Sequence, residues 1–292
     1  MKAFLRGVLL LPVAVVMGYV RLLKRARKGV GYAAQARLDT LSEDSWTEVV
    51  HQSDGEDVRL RFLSPNALCD FRVSTFSTKE PETLEWIDQF GGGGTLYDVG
   101  ANVGLYSVYY AKRHPGQVVA FEPSVFNLAL LARNIAANGV GDRVTIIPLP
   151  LTSTEEVAQF RLTSTDLGGA LSSFAEDIGY DGKPFDAVFS YSTLGTSLDF
   201  LVREQLIAQP PTLIKIDVDG IEHLVLRGAV EVLSDPGLVS VLIEVNDSVP
   251  EVAGPVASIL GSHGFHLSET RHGDLFTGTR FGSIGNQIWV RT

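Results

Sequence analysis

A single cysteine, Cys69, stands in 292 residues, so no intrachain disulfide can form and no cysteine-built metal cluster can be assembled. Basic residues are scarce as well: 24 Lys and Arg against 34 Asp and Glu give a formal net charge of −10. Seven of those bases, and no acid, fall in residues 1–30, so the rest of the chain carries −17. Phosphate backbones are bound chiefly by neutralising Lys and Arg, so nucleic acid is not expected as a partner, and an Asn-Pro-Pro-aromatic motif is missing too. A small molecule or a glycan is the expected acceptor class. Reduced cysteine chemistry fits the cytoplasm.

Long apolar runs are also lacking. The uncharged stretch Gly7 to Val20 has 14 residues, about 21 Å as a helix, against roughly 30 Å of hydrocarbon core. Lys2 and Arg6 precede it, and Arg21, Lys24, Arg25, Arg27 and Lys28 follow. It has no small-x-small cleavage site and its basic flank resists translocation, which argues against a signal peptide. Residues 4–28 are a candidate membrane contact, either inserting with Arg21 snorkelling or lying on anionic lipid, with the following domain on the cytoplasmic face. A terminal helix packed on a partner is the competing reading.

The organisation expected is an apolar, basic helix at 1–30, a cap or linker at 31–77 and a main domain at 78–292. Residues 45–76 alternate as strands about the Ser53-Asp54-Gly55 turn. Thr78 to Phe90 reads as a helix with Pro81 in its first turn. Beyond it, strands are expected near 95–99, 117–122, 143–148, 157–162, 185–191, 212–217, 239–245, 265–269 and 286–291. Helices are expected near 103–113, 124–138, 197–207, 221–233 and 251–263. That alternation implies an α/β fold with a doubly wound, mostly parallel sheet.

The segment Leu96-Tyr-Asp-Val-Gly-Ala-Asn-Val-Gly104 joins a buried strand to a tight turn and then to a helical pattern. Gly100 and Gly104 admit backbone angles closed to other residues, Asn102 can bond locally, and the turn opens onto a helix N-terminus suited to an anionic group. Glu122, at the end of the next strand, is placed to accept ribose hydroxyls. An acid in that position also serves nicotinamide folds, but their G-x-G-x-x-G fingerprint is not met here. Asp98 at the strand end favours S-adenosylmethionine, because a carboxylate there can act on its ammonium group. A second strand, Leu213 to Asp217, ends in clustered acids. Asp217, Asp219 and Glu222 should therefore lie at the carboxyl edge of the sheet, near the cleft, where they could accept a proton, orient an acceptor or hold a cation. No complete metal-ligand set is identifiable, and none is assigned. Lys215 inside this strand calls for a partner acid. His223, Glu244 and Asn246 are further candidates for the cleft.

Lys79-Glu-Pro-Glu-Thr-Leu-Glu-Trp-Ile87, Asp98 to Gly104, Phe121-Glu-Pro123 and Lys215-Ile-Asp-Val-Asp-Gly-Ile-Glu222, in that order, resemble the FkbM-type S-adenosylmethionine-dependent methyltransferases. Ser197-Leu-Asp199 and Leu226-Arg-Gly-Ala229 fit as well. The resemblance covers roughly residues 75–250. It implies a class I, Rossmann-like methyltransferase fold and methyl transfer to a hydroxyl of a sugar, glycolipid or secondary metabolite. By motif, Asp98, Gly100, Asn102, Gly104 and Glu122 would bind the cofactor, and Asp217, Asp219 and Glu222 would form the catalytic signature, with Asp219 in place of the more usual glutamate. Residues 165–175 look like the family's Gly/Ser-rich loop bordering the cleft. Two other readings use the same fold: a nicotinamide-dependent sugar-modifying enzyme, and a non-catalytic, membrane-associated binding protein.

Overall fold

The computed structural model of the protein describes residues 15–22, 25, 32–33, 36–37, 45–273 and 278–292. They belong to two compact units, Met1–Trp46 and Thr47–Thr292. In the first, residues 15–22 are helical, while 1–14 and most of the basic flank expected at a membrane lie outside the described residues. No described helix is long and apolar enough to cross a membrane.

The hairpin β1 (Trp46–Ser53) and β2 (Glu56–Leu63) turns through Asp54 and Gly55, at φ 49° and 82°. Positive φ at both central residues is what a tight two-residue hairpin turn requires. Val58, Leu60 and Phe62, alternate residues of β2, are buried. Strand character ends there, contrary to the expectation of strands to residue 76. The Asn66 side chain accepts the Cys69 N–H and starts helix α1 (Ala67–Ser74), which buries Cys69 and Val73, four residues apart on one face.

The remaining helices are α2 (Pro81–Phe90), α3 (Leu105–Arg113), α4 (Val125–Ala137), α5 (Leu198–Arg203), α6 (Glu222–Arg227), α7 (Val230–Ser234) and α8 (Pro250–Ser262). One helix was expected at 221–233, but the chain breaks at Gly228. The Asp199 carboxylate then accepts the N–H groups of Glu231 and Val232 and caps α7. Asn134 on α4 and Asn138 at its C-cap accept the backbone N–H groups of Leu63 and Arg61, which satisfies polar groups of β2 that no described strand covers.

The main sheet contains β3 (Thr95–Val99), β4 (Gln117–Phe121), β5 (Val144–Ile147), β9 (Leu213–Ile216), β10 (Ser240–Asn246), β11 (Phe265–Arg271) and β12 (Ile284–Arg291), in the order β11-β12-β10-β9-β3-β4-β5. Neighbours from β10 through β5 are parallel, and β12 runs antiparallel to both of its neighbours. From β3 the order proceeds one way through β4 and β5 and the other way through β9 and β10. This is a switch point of the kind that opens a ligand crevice at the carboxyl edge. Apolar residues on both faces form two cores: Tyr97, Val99, Ile214, Ile216 and Ile243 join one, and Leu96, Leu213 and Leu242 the other. By strand alternation, Asp98, Lys215 and Glu244 share the face of Leu96, Leu213 and Leu242.

The strand expected at 157–162 forms, and the one expected at 185–191 forms four residues later, both outside this sheet. β6 (Glu156–Leu162), β7 (Ser173–Phe174) and β8 (Phe189–Gly195) make a separate antiparallel sheet in the order β7-β6-β8. No helix lies between residues 148 and 197 to supply the crossover that parallel pairing needs.

Candidate active site

The turn after β3 is fixed by its neighbours. Gly100 has φ 84°, and a Cβ there would collide with the Asp217 carbonyl oxygen, because β9 runs alongside with Val99 opposite Ile216. The Gly100 and Ala101 N–H groups both donate to the Phe121 carbonyl at 3.0 Å. Asn102, also left-handed at φ 51°, donates its backbone N–H to Glu122 Oε2 at 2.8 Å. Gly104 (φ 83°) opens α3, whose N-terminus no described side chain caps.

Glu122 is 5% exposed, and its Oε1 accepts the Ser124 N–H at 2.7 Å. Burial pushes its pKa up to about 7, against these two N–H groups and the Asn127 side chain, which favour the ionised form. Gly100, Asn102 and Glu122 border a cavity of about 460 Å³, within the usual size of small-molecule sites. Phe121, Pro123, Leu149, Pro150 and Phe160 make one apolar part of its wall.

The loop expected to border the cleft does so, and it is clamped. The Gly169 carbonyl accepts from Asn102 Nδ2 at 2.8 Å and Asn127 Nδ2 at 3.0 Å. The Gly168 N–H donates to Asn127 Oδ1 at 3.0 Å, and Arg72 Nε donates to the Gly168 carbonyl at 2.9 Å. Asp219 Oδ2 accepts the Leu171 and Ser172 N–H groups at 2.7 and 3.3 Å. Burial, with Asp217 nearby, pushes the Asp219 pKa up to about 6.

Beneath the cavity lies a charged network. Lys215 is 1% exposed and donates from Nζ to Asp217 Oδ2 at 2.8 Å, with the Tyr106 ring centroid 5.2 Å away. Burial alone would lower the Lys215 pKa, but Asp217, Asp98 and Glu80 overcome it and keep the ammonium charged. For Asp217, burial raises the pKa but Lys215 and Lys79 prevail and hold the carboxyl below its ordinary value. Glu80 pairs with Lys79 and accepts the Tyr106 hydroxyl at 2.9 Å. Glu82 accepts from Asn286 Nδ2 at 2.7 Å. Glu244 is different: burial and the nearby charges of Asp217 and Glu80 raise its pKa well above the ordinary range, with Lys79 acting the other way.

Asp217, Asp219 and Glu244 bring carboxylate oxygens within 4.8 Å of one another. That spacing would suit a divalent cation, but the Lys215 ammonium neutralises Asp217 and backbone N–H groups take Asp219, and no metal is assigned. Of the sequence-derived site residues, Gly100, Asn102, Glu122, Asp217, Asp219 and Glu244 line the cavity. Asp98 does not. It is 1% exposed, and its Oδ2 accepts the Ser107 hydroxyl at 2.5 Å, while Oδ1 has no described partner. Glu222 does not line it either: its Oε1 accepts the Gly220 and Val218 N–H groups at 2.9 and 3.4 Å, closing the turn ahead of α6. Gly104 and His223 are likewise not among the lining residues, and Asn246 donates its amide to the Tyr180 carbonyl.

Several wall residues escaped the sequence reading. In the sequence Glu80 and Glu82 stand beside Pro81 as acids at a helix start, and only the fold brings Glu82 to Asn286 of β12 and Glu80 near Glu244 of β10. Arg72 and Asn127 were missed as well. For Asn127 a signal existed, since it falls on the buried face of α4 with Leu130, Leu131 and Asn134.

The family model described as Methyltransferase FkbM domain matches residues 98–267. The 31-O-demethyl-FK506 methyltransferase FkbM of Streptomyces tacrolimicus is 29% identical over 215 residues, covering 66% of this chain and 80% of that protein. Methyltransferase sdnD of Sordaria araneosa is 35% identical over 60 residues, 20% of this chain and 23% of its own. Among solved structures, a Streptococcus mutans chain provisionally described as a SAM-dependent methyltransferase has the same fold at TM-score 0.50 and 10% identity, over 83% of this chain and 55% of that one. Aeropyrum pernix fibrillarin, solved with natively bound S-adenosyl-L-methionine, aligns at TM-score 0.46 and 13% identity, over 83% of this chain and 82% of its own.

Proposed function

This chain belongs to the methyltransferase FkbM domain family, and on that footing we propose that it is an S-adenosylmethionine-dependent O-methyltransferase acting on a hydroxyl of a sugar, glycolipid or secondary metabolite. One observation carries the reading: the turn after β3 and the carboxylate after β4 are locked together through Asn102 N–H and Glu122, and both face the same cavity. S-Adenosylmethionine, when bound, supplies an electrophilic methyl group on a sulfonium centre. Glu122 holds the ribose hydroxyls, since each of its oxygens has a lone pair beyond the one given to a backbone N–H. Phe121, Pro123, Leu149 and Phe160 supply apolar surface for the base. The backbone at Gly100 and Asn102 faces the amino-acid end. Asp98 acts from beneath, holding the charge of Lys215 and the first turn of α3 in place, rather than by touching the ligand.

The excess of carboxylates at the floor of the cavity favours a cationic ligand over an anionic one, since among the described residues Asp219, Glu82 and Glu244 have no lysine or arginine paired with them within 4 Å. This supports a sulfonium donor and disfavours a pyrophosphate-bearing dinucleotide. Asp217 and Asp219 orient the acceptor, and Glu222 serves them indirectly by fixing the Val218–Gly220 turn. Walls contributed by Phe71 and Arg72 before the family-matched segment, and by Phe281, Ile284 and Asn286 after it, set the acceptor. The likeness to a relative named for an O-demethyl substrate supports oxygen as the accepting atom. The cytoplasm, where the donor is made, is the proposed compartment.

Incubating the full chain with isotope-labelled S-adenosylmethionine and a small-molecule extract of the encoding cells tests this. One or more metabolites should gain a labelled methyl group, and 31-O-demethyl-FK506 is a defined acceptor to include. Label released only as methanol, or no label transferred despite donor binding, would contradict it.

A further inference from the structure

Methyl transfer to a hydroxyl must dispose of a proton, and the acids of the cavity are not equally free to take it. Glu80 accepts from Lys79 and Tyr106, Glu82 from Asn286, Glu122 from two backbone N–H groups, Asp217 from Lys215, and Asp219 from Leu171 and Ser172. Asp166 accepts from Ser164. Glu244 alone among the carboxylates of this wall accepts no hydrogen bond from a described residue. Its placement follows from strand register. β10 pairs parallel with β9, with Ile243 opposite Ile216, so Glu244 comes level with Asp217 at the carboxyl edge. On its other side it is opposite Asn286, whose amide is turned to Glu82.

Resting on the methyltransferase reading above, we propose that Glu244 is the catalytic base that takes the proton from the acceptor hydroxyl. The hydroxyl oxygen gives its proton to a free Glu244 carboxylate oxygen and uses a lone pair to form the new O–CH3 bond. The electron pair of the breaking S–CH3 bond returns to sulfur, which becomes a neutral thioether, and the proton leaves Glu244 for solvent through the open cavity. Asp217 cannot replace it, because its charge is spent on Lys215 and its carboxyl is held below the ordinary range, which makes it a poor proton acceptor. The opposite environment of Glu244 makes it a stronger base once ionised. Asp217 and Asp219, just beyond β9, and the Lys79–Glu80 pair, just before α2, face it and set that environment, each already holding a hydrogen-bond partner.

The test requires no identified acceptor. Sinefungin carries an ammonium group on carbon where S-adenosylmethionine carries its sulfonium methyl, whereas S-adenosylhomocysteine carries nothing there. Calorimetric affinities of both ligands for the wild type and Glu244→Gln give a ratio that only a group at the methyl position can move. The proposal expects sinefungin to weaken about tenfold or more relative to S-adenosylhomocysteine, and transfer of labelled methyl to the cell extract to fall about 100-fold or more. A ratio unchanged from wild type overturns the assignment, whatever the transfer rate. If Glu244→Gln binds neither ligand, the same ratio is read in Glu244→Asp, where a drop supports the proposal and no change overturns it. Failure of the wild type to bind either ligand would instead overturn the methyltransferase reading itself, and this proposal with it.

Discussion

Lys215 and Asp217 lie two residues apart, on the same side of the chain by strand alternation, and meet at 2.8 Å beneath the cavity. The ammonium is almost wholly buried and is also close enough to Asp98 and Glu80 for their charges to raise its pKa. Lys215 is thus the counter-charge for acids that come from three separate parts of the chain.

Replacing it should be costly. Lys215→Met leaves the buried Asp98 and the half-buried Asp217 without their cation, and removing one partner of a buried pair costs about 3–5 kcal/mol. Urea unfolding at pH 7 should show a loss of that order. A loss below about 1 kcal/mol would mean that the acids are neutral in the folded protein and that Lys215 is not their counter-charge.

The loop at 165–175 should loosen when its clamp is cut. Asn127→Ala removes two hydrogen bonds to Gly168 and Gly169, each contributing about 0.5–1.5 kcal/mol. Hydrogen exchange of peptides covering 164–174 should accelerate about tenfold or more, with the β3, β4 and β9 peptides unchanged. Equal protection in wild type and variant would show that Asn102, Arg72 and Asp219 hold the loop without it.

Glu222 should reveal its structural role through pH. Burial raises its pKa from an ordinary 4.5 to about 7. Between those values the folded state binds the proton that the unfolded state has released, so stability falls as pH rises through that window. At about 1.4 kcal/mol per unit the penalty approaches about 3 kcal/mol above pH 7. Glu222→Gln keeps an oxygen to accept the Gly220 and Val218 N–H groups and avoids the penalty. Thermal melts should therefore match near pH 4 and favour the variant at pH 8. Parallel melting curves across the range would contradict this.

Much of the fold is legible in the chain because its signals are local. The strands at 95–99 and 117–121 are short apolar runs bounded by turn residues, and Gly100 to Gly104 can be read as a turn without knowing that Asp217 crowds it. Three things are not legible, each for a physical reason. Residues 67–74 become helix through one side-chain cap at Asn66, which alternation does not reveal. β6 and β8 leave the main sheet because the connection between them lacks a helix, a matter of partner choice rather than strand propensity. The roles of the acids depend on burial and on which donor each one meets. Asp217, Asp219 and Glu222 look equivalent in sequence, yet the fold gives the first a lysine, the second a loop and the third its own turn. Glu80 and Glu82 join them from 130 positions or more upstream.

The central claim is that the Asn102–Glu122 lock forms the binding site of the methyl donor, and calorimetric titration of S-adenosylmethionine into wild type and Glu122→Ala tests it most directly. The account predicts saturable one-to-one binding to the wild type and about tenfold or greater weakening in the variant, since charge-assisted hydrogen bonds contribute about 1.5–3 kcal/mol. Equal affinity in the two proteins, with the variant shown to be folded, would contradict it.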